Sequence, residues 1–199
     1  EIASFFDPFG NAVHSINCFN VVGEDLLITG AGPIGLISVA ICKFMRAKNI
    51  VITDVNDYRL ALAKKLGATK TINTKKESIK NCFGELNIKH GFDVGLEMSG
   101  NGQAFNEMLS SIYHGGKIVL LGLLPKNTCI DWDNIIFKGL QVRGVYGREM
   151  YETWYKMDQL IKSGLDLSKI ITHKFPISSF DEAFKVISSG QCGKVIMEW

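Results

Sequence analysis

The sequence predicts an α/β protein built on a doubly wound parallel six-stranded sheet, and two observations predict it. From residue 25 onward, short β-branched runs alternate with longer segments whose apolar residues recur at i, i+3 and i+4. Most of the short runs are apolar nearly throughout, as strands covered on both faces must be. Alternation of this kind, at a period of roughly 25 residues, belongs to parallel strands joined by crossover helices.

The elements follow in order. Strands are expected at 26–29, 50–54, 71–72, 92–98, 116–121 and 140–145, and helices at 34–45, 57–66, 77–86, 102–112 and 149–161. Asp57 is the better N-cap candidate for the second of these helices. Tyr151, Trp154 and Tyr155, spaced for one helix face, read as a packing surface, and His14 reads as a satisfied core histidine. Two segments lie outside the scheme. Residues 1–20 precede the first strand, and beyond about residue 172 the chain adds a strand, a helix at 180–188 and a last strand at 194–198. The partners of these segments are expected outside the main sheet.

Composition narrows the class. The 199 residues are 46% hydrophobic, enough for one real core, and 22 Lys and Arg against 20 Asp and Glu leave a formal charge of +2. No basic run exceeds a pair, so nucleic acid is not an expected partner. The longest uncharged apolar stretch, 26–42, is broken by Gly30, Gly32, Pro33 and Gly35 and falls short of the ~20 residues that a membrane span needs. No secretory leader is expected from residues 1–6. The five cysteines, an odd number at irregular spacings with no C-x-x-C pair, read as reduced thiols of a cytoplasmic protein, and no metal site is expected within the chain.

The sharpest motif is Gly30-Ala31-Gly32-Pro33-Ile34-Gly35, a G-x-G-x-x-G placed directly after a predicted strand and opening a predicted helix. Gly30 permits the tight turn, Gly32 lets backbone approach a pyrophosphate, Pro33 suits the first helical turn, and Gly35 lets helix and strand pack closely. The positive end of the helix then faces the anion. Nineteen residues after Gly35, Asp54 ends the second strand, where a carboxylate accepts hydrogen bonds from adenosine ribose hydroxyls and repels a 2′-phosphate. NAD is therefore expected over NADP. Arg59 leaves two roles open, a 2′-phosphate partner or a flat cover for the adenine.

The same residues resemble the zinc-dependent medium-chain dehydrogenases. The resemblance runs through DPFGNAVH at 7–14, GAGPIG at 30–35, ITDVNDYRL at 52–60, GFDVGLEMSG at 91–100, HGGKIVLLG at 114–122, the block at 132–157 that contains GREMYETWYKM, and SGLDLSKIITH at 163–173. It implies a Rossmann cofactor domain at 21–171, a link from a separate GroES-like catalytic domain at 1–20, and a segment returning to that domain at 172–199. It implies oxidation of a secondary alcohol, that of L-threonine, with hydride transfer to NAD. Zinc would be held by residues outside this chain, and the 199 residues alone would bind NAD without turnover.

The resemblance also assigns positions. It places Ile34, Asp54, Arg59, Leu121, Gly122, Leu123, Val145 and Tyr146 around the cofactor, and Asp7 beside the metal as a proton relay. Arg148 is placed near the pyrophosphate or a neighbouring subunit. The strand at 140–145 is left as an apolar edge, and related enzymes pair through this region, so a homo-oligomer is expected, a dimer here and a tetramer in the parent. The glycine loop and acidic strand end admit other readings: another polyol or alcohol dehydrogenase, an S-adenosylmethionine methyltransferase, or a nucleotide-sensing module. Glu97-Met98-Ser99-Gly100 lacks the Asp-Pro-Pro-Tyr loop of amino methyltransferases.

Overall fold

The computed structural model describes residues 2–199. Six parallel strands form the main sheet: β1 (Asp25–Thr29), β2 (Asn49–Asp54), β3 (Lys70–Asn73), β4 (Phe92–Glu97), β5 (Ile112–Leu120) and β6 (Gln141–Gly144). Their order is β3-β2-β1-β4-β5-β6. The chain therefore reverses its direction of winding between β1 and β4, which opens a crevice at the carboxyl ends of these two strands.

Helices cover both faces. On one lie α1 (Phe6–Ile16), α2 (Pro33–Phe44), α3 (Asp57–Leu66) and α7 (Glu152–Lys162), and on the other α4 (Cys82–Glu85), α5 (Gly102–Ser111) and α6 (Trp132–Phe137). Successive strand residues divide between the two cores, with Leu26 and Ile28 facing α2 while Leu27 faces the α5 side. The last elements, β7 (Ile171–Pro176), α8 (Phe180–Ser189) and β8 (Lys194–Glu198), make a separate two-stranded parallel sheet with its own crossover. Among the described residues, no helix is long and apolar enough to cross a membrane, and the five cysteines are free.

Several local expectations need correction. Residues 6–16, for which no helix was expected, form α1, and Phe9, Val13 and Ile16 on one of its faces are buried against α2 and α7 rather than finding their partners away from the main sheet. The helix expected at 77–86 is a single 3-10 turn followed by the four-residue α4. Ser78 is extended (φ −84°, ψ 146°) and caps residue 80, so nothing helical begins before residue 79. Strand β5 begins at Ile112, where a helix end was expected, and pairs with Phe92 before a register shift. Helix α6, not expected at all, is capped by Asp131. The α7 aromatics are not a packing face within this chain. Thr153 and Met157 turn inward, whereas Tyr151 and Tyr155 are 75% and 66% exposed.

Candidate functional site

The crevice at the switch point encloses about 600 Å³. Its floor is the turn between β1 and α2. Gly30 adopts φ +89° with its N–H on Thr53 O (2.8 Å), and a Cβ at Gly30 would lie 2.8 Å from Ser99 Cα. Gly35 is tighter still, since a Cβ there would overlap the carbonyl oxygen of Gly30. Gly32, the N-cap of α2, has no heavy atom within 4 Å of the place a Cβ would occupy, so its backbone lies open to the crevice. Pro33 is the first helical residue, where its missing N–H costs nothing. Ile34 follows, half-buried, in the first turn of α2. The first-turn N–H groups of a helix have no partners within it, and the helix dipole adds partial positive charge beside them.

Asp54, half-buried at the end of β2, lines the crevice and accepts three backbone hydrogen bonds. Ala31 N donates to Oδ2 (2.6 Å), while Val55 N (2.7 Å) and Asn56 N (2.9 Å) donate to Oδ1. The carboxylate therefore ties the phosphate loop to the turn between β2 and α3. Arg59, on the first turn of α3, lines the same crevice, and its Nε is buried with no hydrogen-bond partner. The cap of α3 is Asn56 rather than Asp57: Asn56 Oδ1 accepts from Arg59 N at 3.2 Å. Asp57 instead meets Lys76 and Asn73, both at 2.7 Å, and these hydrogen bonds hold its carboxyl below the usual carboxylate range.

The opposite wall comes from the loop after β4 and the first turns of α5, including Met98, Ser99, Asn101 and Gln103. From sequence, Met98 and Ser99 entered through the missing methyltransferase loop, and none of the four was assigned to the site. Behind them sits Glu97, a carboxylate with 0% exposure, likewise assigned no role at the site from sequence. It accepts from Thr29 Oγ1 (3.2 Å), Ser99 N (2.9 Å), Ser99 Oγ and Gly100 N (3.1 Å). A charged residue closing the apolar run of β4 was the signal available in the sequence.

Leu121, Gly122 and Leu123 leave the carboxyl end of β5, held by bonds from Leu121 N and Gly122 N to Glu97 O (3.1 and 3.0 Å). A Cβ on Gly100 would lie 2.9 Å from Leu123 O, so this loop packs directly on the one after β4. Val145 N bonds Leu120 O at 2.8 Å, just past β6, and the next residue, Tyr146, is 95% exposed. Leu123 is 86% exposed. These five residues stand at the strand ends, but none lines the 600 Å³ crevice itself.

Asp7 and Arg148 come together. The Arg148 guanidinium pairs with Asp7 in the first turn of α1 and lies 5.9 Å from the Trp154 ring. Gly10, one helical turn on, makes room, because a Cβ there would press on the Arg148 side chain. His14 is partly buried and satisfied through Nδ1 and Gly147 O at 3.2 Å. Arg148 therefore latches the turn after β6 onto α1.

Comparison with known proteins fits this geometry. Residues 33–163 match the family described as zinc-binding dehydrogenase. L-Threonine 3-dehydrogenases of Chromobacterium violaceum and Proteus mirabilis are 61% and 58% identical over all 199 residues, and the chain spans 58% of the length of each. A solved Escherichia coli CFT073 protein described as a short chain alcohol dehydrogenase (rspB), complexed with NADH, superposes with a TM-score of 0.88. It is 25% identical over 100% of this chain and 59% of that one. An E. coli oxidoreductase of unknown specificity gives 0.85 at 27% identity, over 97% of this chain and 56% of its own. The family match runs from the helix that opens at the phosphate loop to the end of α7, and the chain belongs to the zinc-binding dehydrogenase family.

Proposed function

We propose that this chain is the NAD-binding part of an L-threonine 3-dehydrogenase, which oxidises the secondary hydroxyl of L-threonine to 2-amino-3-oxobutanoate. The observation that carries the reading is the switch-point crevice, with the open backbone of Gly32 at its floor and Asp54 and Arg59 at one end. These residues fit a dinucleotide. Gly30, Gly32, Pro33, Ile34 and Gly35 would hold the pyrophosphate against the α2 terminus, Asp54 the ribose hydroxyls, and Arg59 the adenine. Leu121, Gly122, Leu123, Val145 and Tyr146 would border the nicotinamide end, where backbone groups fix the ring and apolar side chains keep water away. The bound cofactor would supply a hydride acceptor for the carbinol carbon. The contribution of this chain is position, since orientation is a large part of the barrier in such transfers.

The zinc of the family does not fit the described residues, among which no group of three or more His, Cys, Asp or Glu side chains is placed to hold a metal ion. Its ligands belong, in this reading, to a part of the protein beyond these 199 residues, with 1–20 as the link, 21–171 as the cofactor domain and 172–199 as the returning segment. Phe180, Phe184 and Ile187, exposed along one face of α8, support a further domain packed on that segment. Free cysteines fit a reducing cytoplasm.

Asp7 is assigned as a proton relay. Its carboxylate is 70% exposed, and the Arg148 ion pair steadies it. In a full-length protein, Asp7→Asn should lower turnover with threonine about tenfold or more while leaving the KM for NAD in place. Unchanged turnover removes the relay.

Calorimetric titration of the chain tests the reading directly. NADH should bind saturably, NADPH more weakly and S-adenosylmethionine not at all, and Asp54→Ala should cost at least about tenfold in NADH affinity. The chain alone should not oxidise threonine. Binding of S-adenosylmethionine in place of NADH defeats the proposal. A two-fold dimer through β6 belongs to the same reading. All four β6 residues are exposed, and the neighbouring α6 exposes Trp132, Ile136 and Phe137. Sedimentation velocity at micromolar concentration should show a dimer, and a monomer throughout contradicts it.

A further inference from the structure

We infer that the C-terminal turn at residues 190–193 positions the adenosine end of the crevice, with Asn56 as the residue that connects the two. The inference rests on the dinucleotide reading of that crevice. Asn56 is engaged at three points. Its N–H donates to Asp54 Oδ1 (2.9 Å), its Oδ1 caps the helix that carries Arg59 (3.2 Å), and its Nδ2 donates to Gly190 O (3.0 Å). One residue therefore bonds the ribose-side carboxylate through its backbone and the adenine-side helix and the tail through its side chain.

The fit on the tail side is close. Gly190 ends α8 at φ +71°, and a Cβ there would lie 2.9 Å from Asn56 Nδ2 and 3.9 Å from an Arg59 guanidinium nitrogen. Three residues on, a Cβ at Gly193 would lie 2.8 Å from Leu62 on α3, and Cys192 between them is buried. The turn is thus pressed along the first two turns of α3 by two glycines that have no room for side chains. Arg59 Nε has no hydrogen-bond partner of its own. With no bond at that nitrogen, the side chain takes its place from the first turn of α3, which Asn56 caps at Arg59 N. A shift of residues 190–193 reaches both Asp54 and the α3 turn that carries Arg59 through Asn56, without passing through the phosphate loop.

Asn56 and Gly190 are positioning residues, and Gly190 lies outside the crevice lining. Gly190→Ala should weaken NADH and ADP-ribose by the same factor, about tenfold, the scale of one lost hydrogen bond. Nicotinamide mononucleotide should be unaffected. Amide exchange at Val55, Asn56 and Arg59 in the ligand-free chain should quicken about fivefold or more. Asn56→Ser keeps an oxygen to cap α3 but cannot reach Gly190 O, and it should reproduce the affinity losses. Gly164→Ala is the control for strain alone, since Gly164 has φ +103° with no heavy atom within 4 Å of a Cβ there.

The inference is overturned if Gly190→Ala binds ADP-ribose as the parent chain does, or if Gly164→Ala loses as much. Should the parent chain fail to bind NADH, the dinucleotide reading falls separately. Amide exchange then decides the coupling: faster exchange in Gly190→Ala upholds it, and unchanged exchange overturns it.

Discussion

Gly35→Ala should lower stability by about 3 kcal/mol, roughly 6–12 °C in melting temperature for a domain of this size, and weaken NADH at least about a hundredfold. The added methyl would fall on the carbonyl oxygen of Gly30, and that residue cannot retreat. Its N–H is bonded to Thr53 O on one side, and Ser99 backbone closes the other within 3 Å of a would-be Cβ. The strain must therefore move α2, whose Leu36, Ile37 and Val39 are fully buried in the core shared with β1 and α1. Moving the helix removes its terminus from the anion it would hold, so stability and binding should fall together. Thermal unfolding with parallel NADH titration measures both, and a variant that melts and binds like the parent refutes the close approach.

The second large effect is expected at Glu97. Its carboxylate is wholly buried and accepts from Thr29, Ser99 and Gly100, which stand on β1 and on the loop that walls the crevice. Glu97→Ala leaves these donors facing a cavity, at about 1–3 kcal/mol for each unsatisfied group, so a loss of about 3–5 kcal/mol in urea unfolding is expected. Glu97→Gln is isosteric and keeps one acceptor, yet places an amide N–H₂ where Gly100 N lies 3.3 Å from Oε2. Its cost should be smaller, about 1–2 kcal/mol. Because Ser99 both bonds Glu97 and lines the crevice, both variants should also weaken NADH. Stability within 1 kcal/mol of the parent in Glu97→Ala would mean that water replaces the carboxylate and that the loop does not depend on it.

Legibility in the sequence followed the strength of the local signal. The phosphate loop could be read residue by residue because each glycine answers to a separate steric demand, and Gly30, Gly32 and Gly35 meet three different surroundings. Strands β1, β2 and β4 were legible because burial on both faces forces continuous apolar runs, whereas β6 is exposed along its whole length. Residue pairings across the chain were not. Nothing near Glu97 announces Thr29, 68 positions away, and nothing near Asn56 announces Gly190, 134 positions away. Residues 77–86 have helical composition, but Ser78 bonds its own backbone neighbour two residues on and delays the start, a local competition that periodicity does not register. The aromatics of α7 show the reverse error. Their spacing defines a face correctly, but which face turns inward depends on Met157 and Thr153 meeting the neighbouring core.

The place of β1 in the sheet has a consequence for how the chain assembles. Its register joins Leu26 to Ile50 on one side, within 24 residues, but to Val94 on the other, 68 residues later. During synthesis β1, β2 and β3 are complete once residue 73 has emerged, while the second edge of β1 stays bare until β4 follows. Long-range parallel pairing is slow, and an open apolar edge is the surface most prone to joining another chain. The seating of Glu97 against Thr29 belongs to that late event. A nascent or refolding chain is therefore most vulnerable to aggregation in the interval before the fourth strand docks, and conditions that shorten the interval should raise the yield of folded protein.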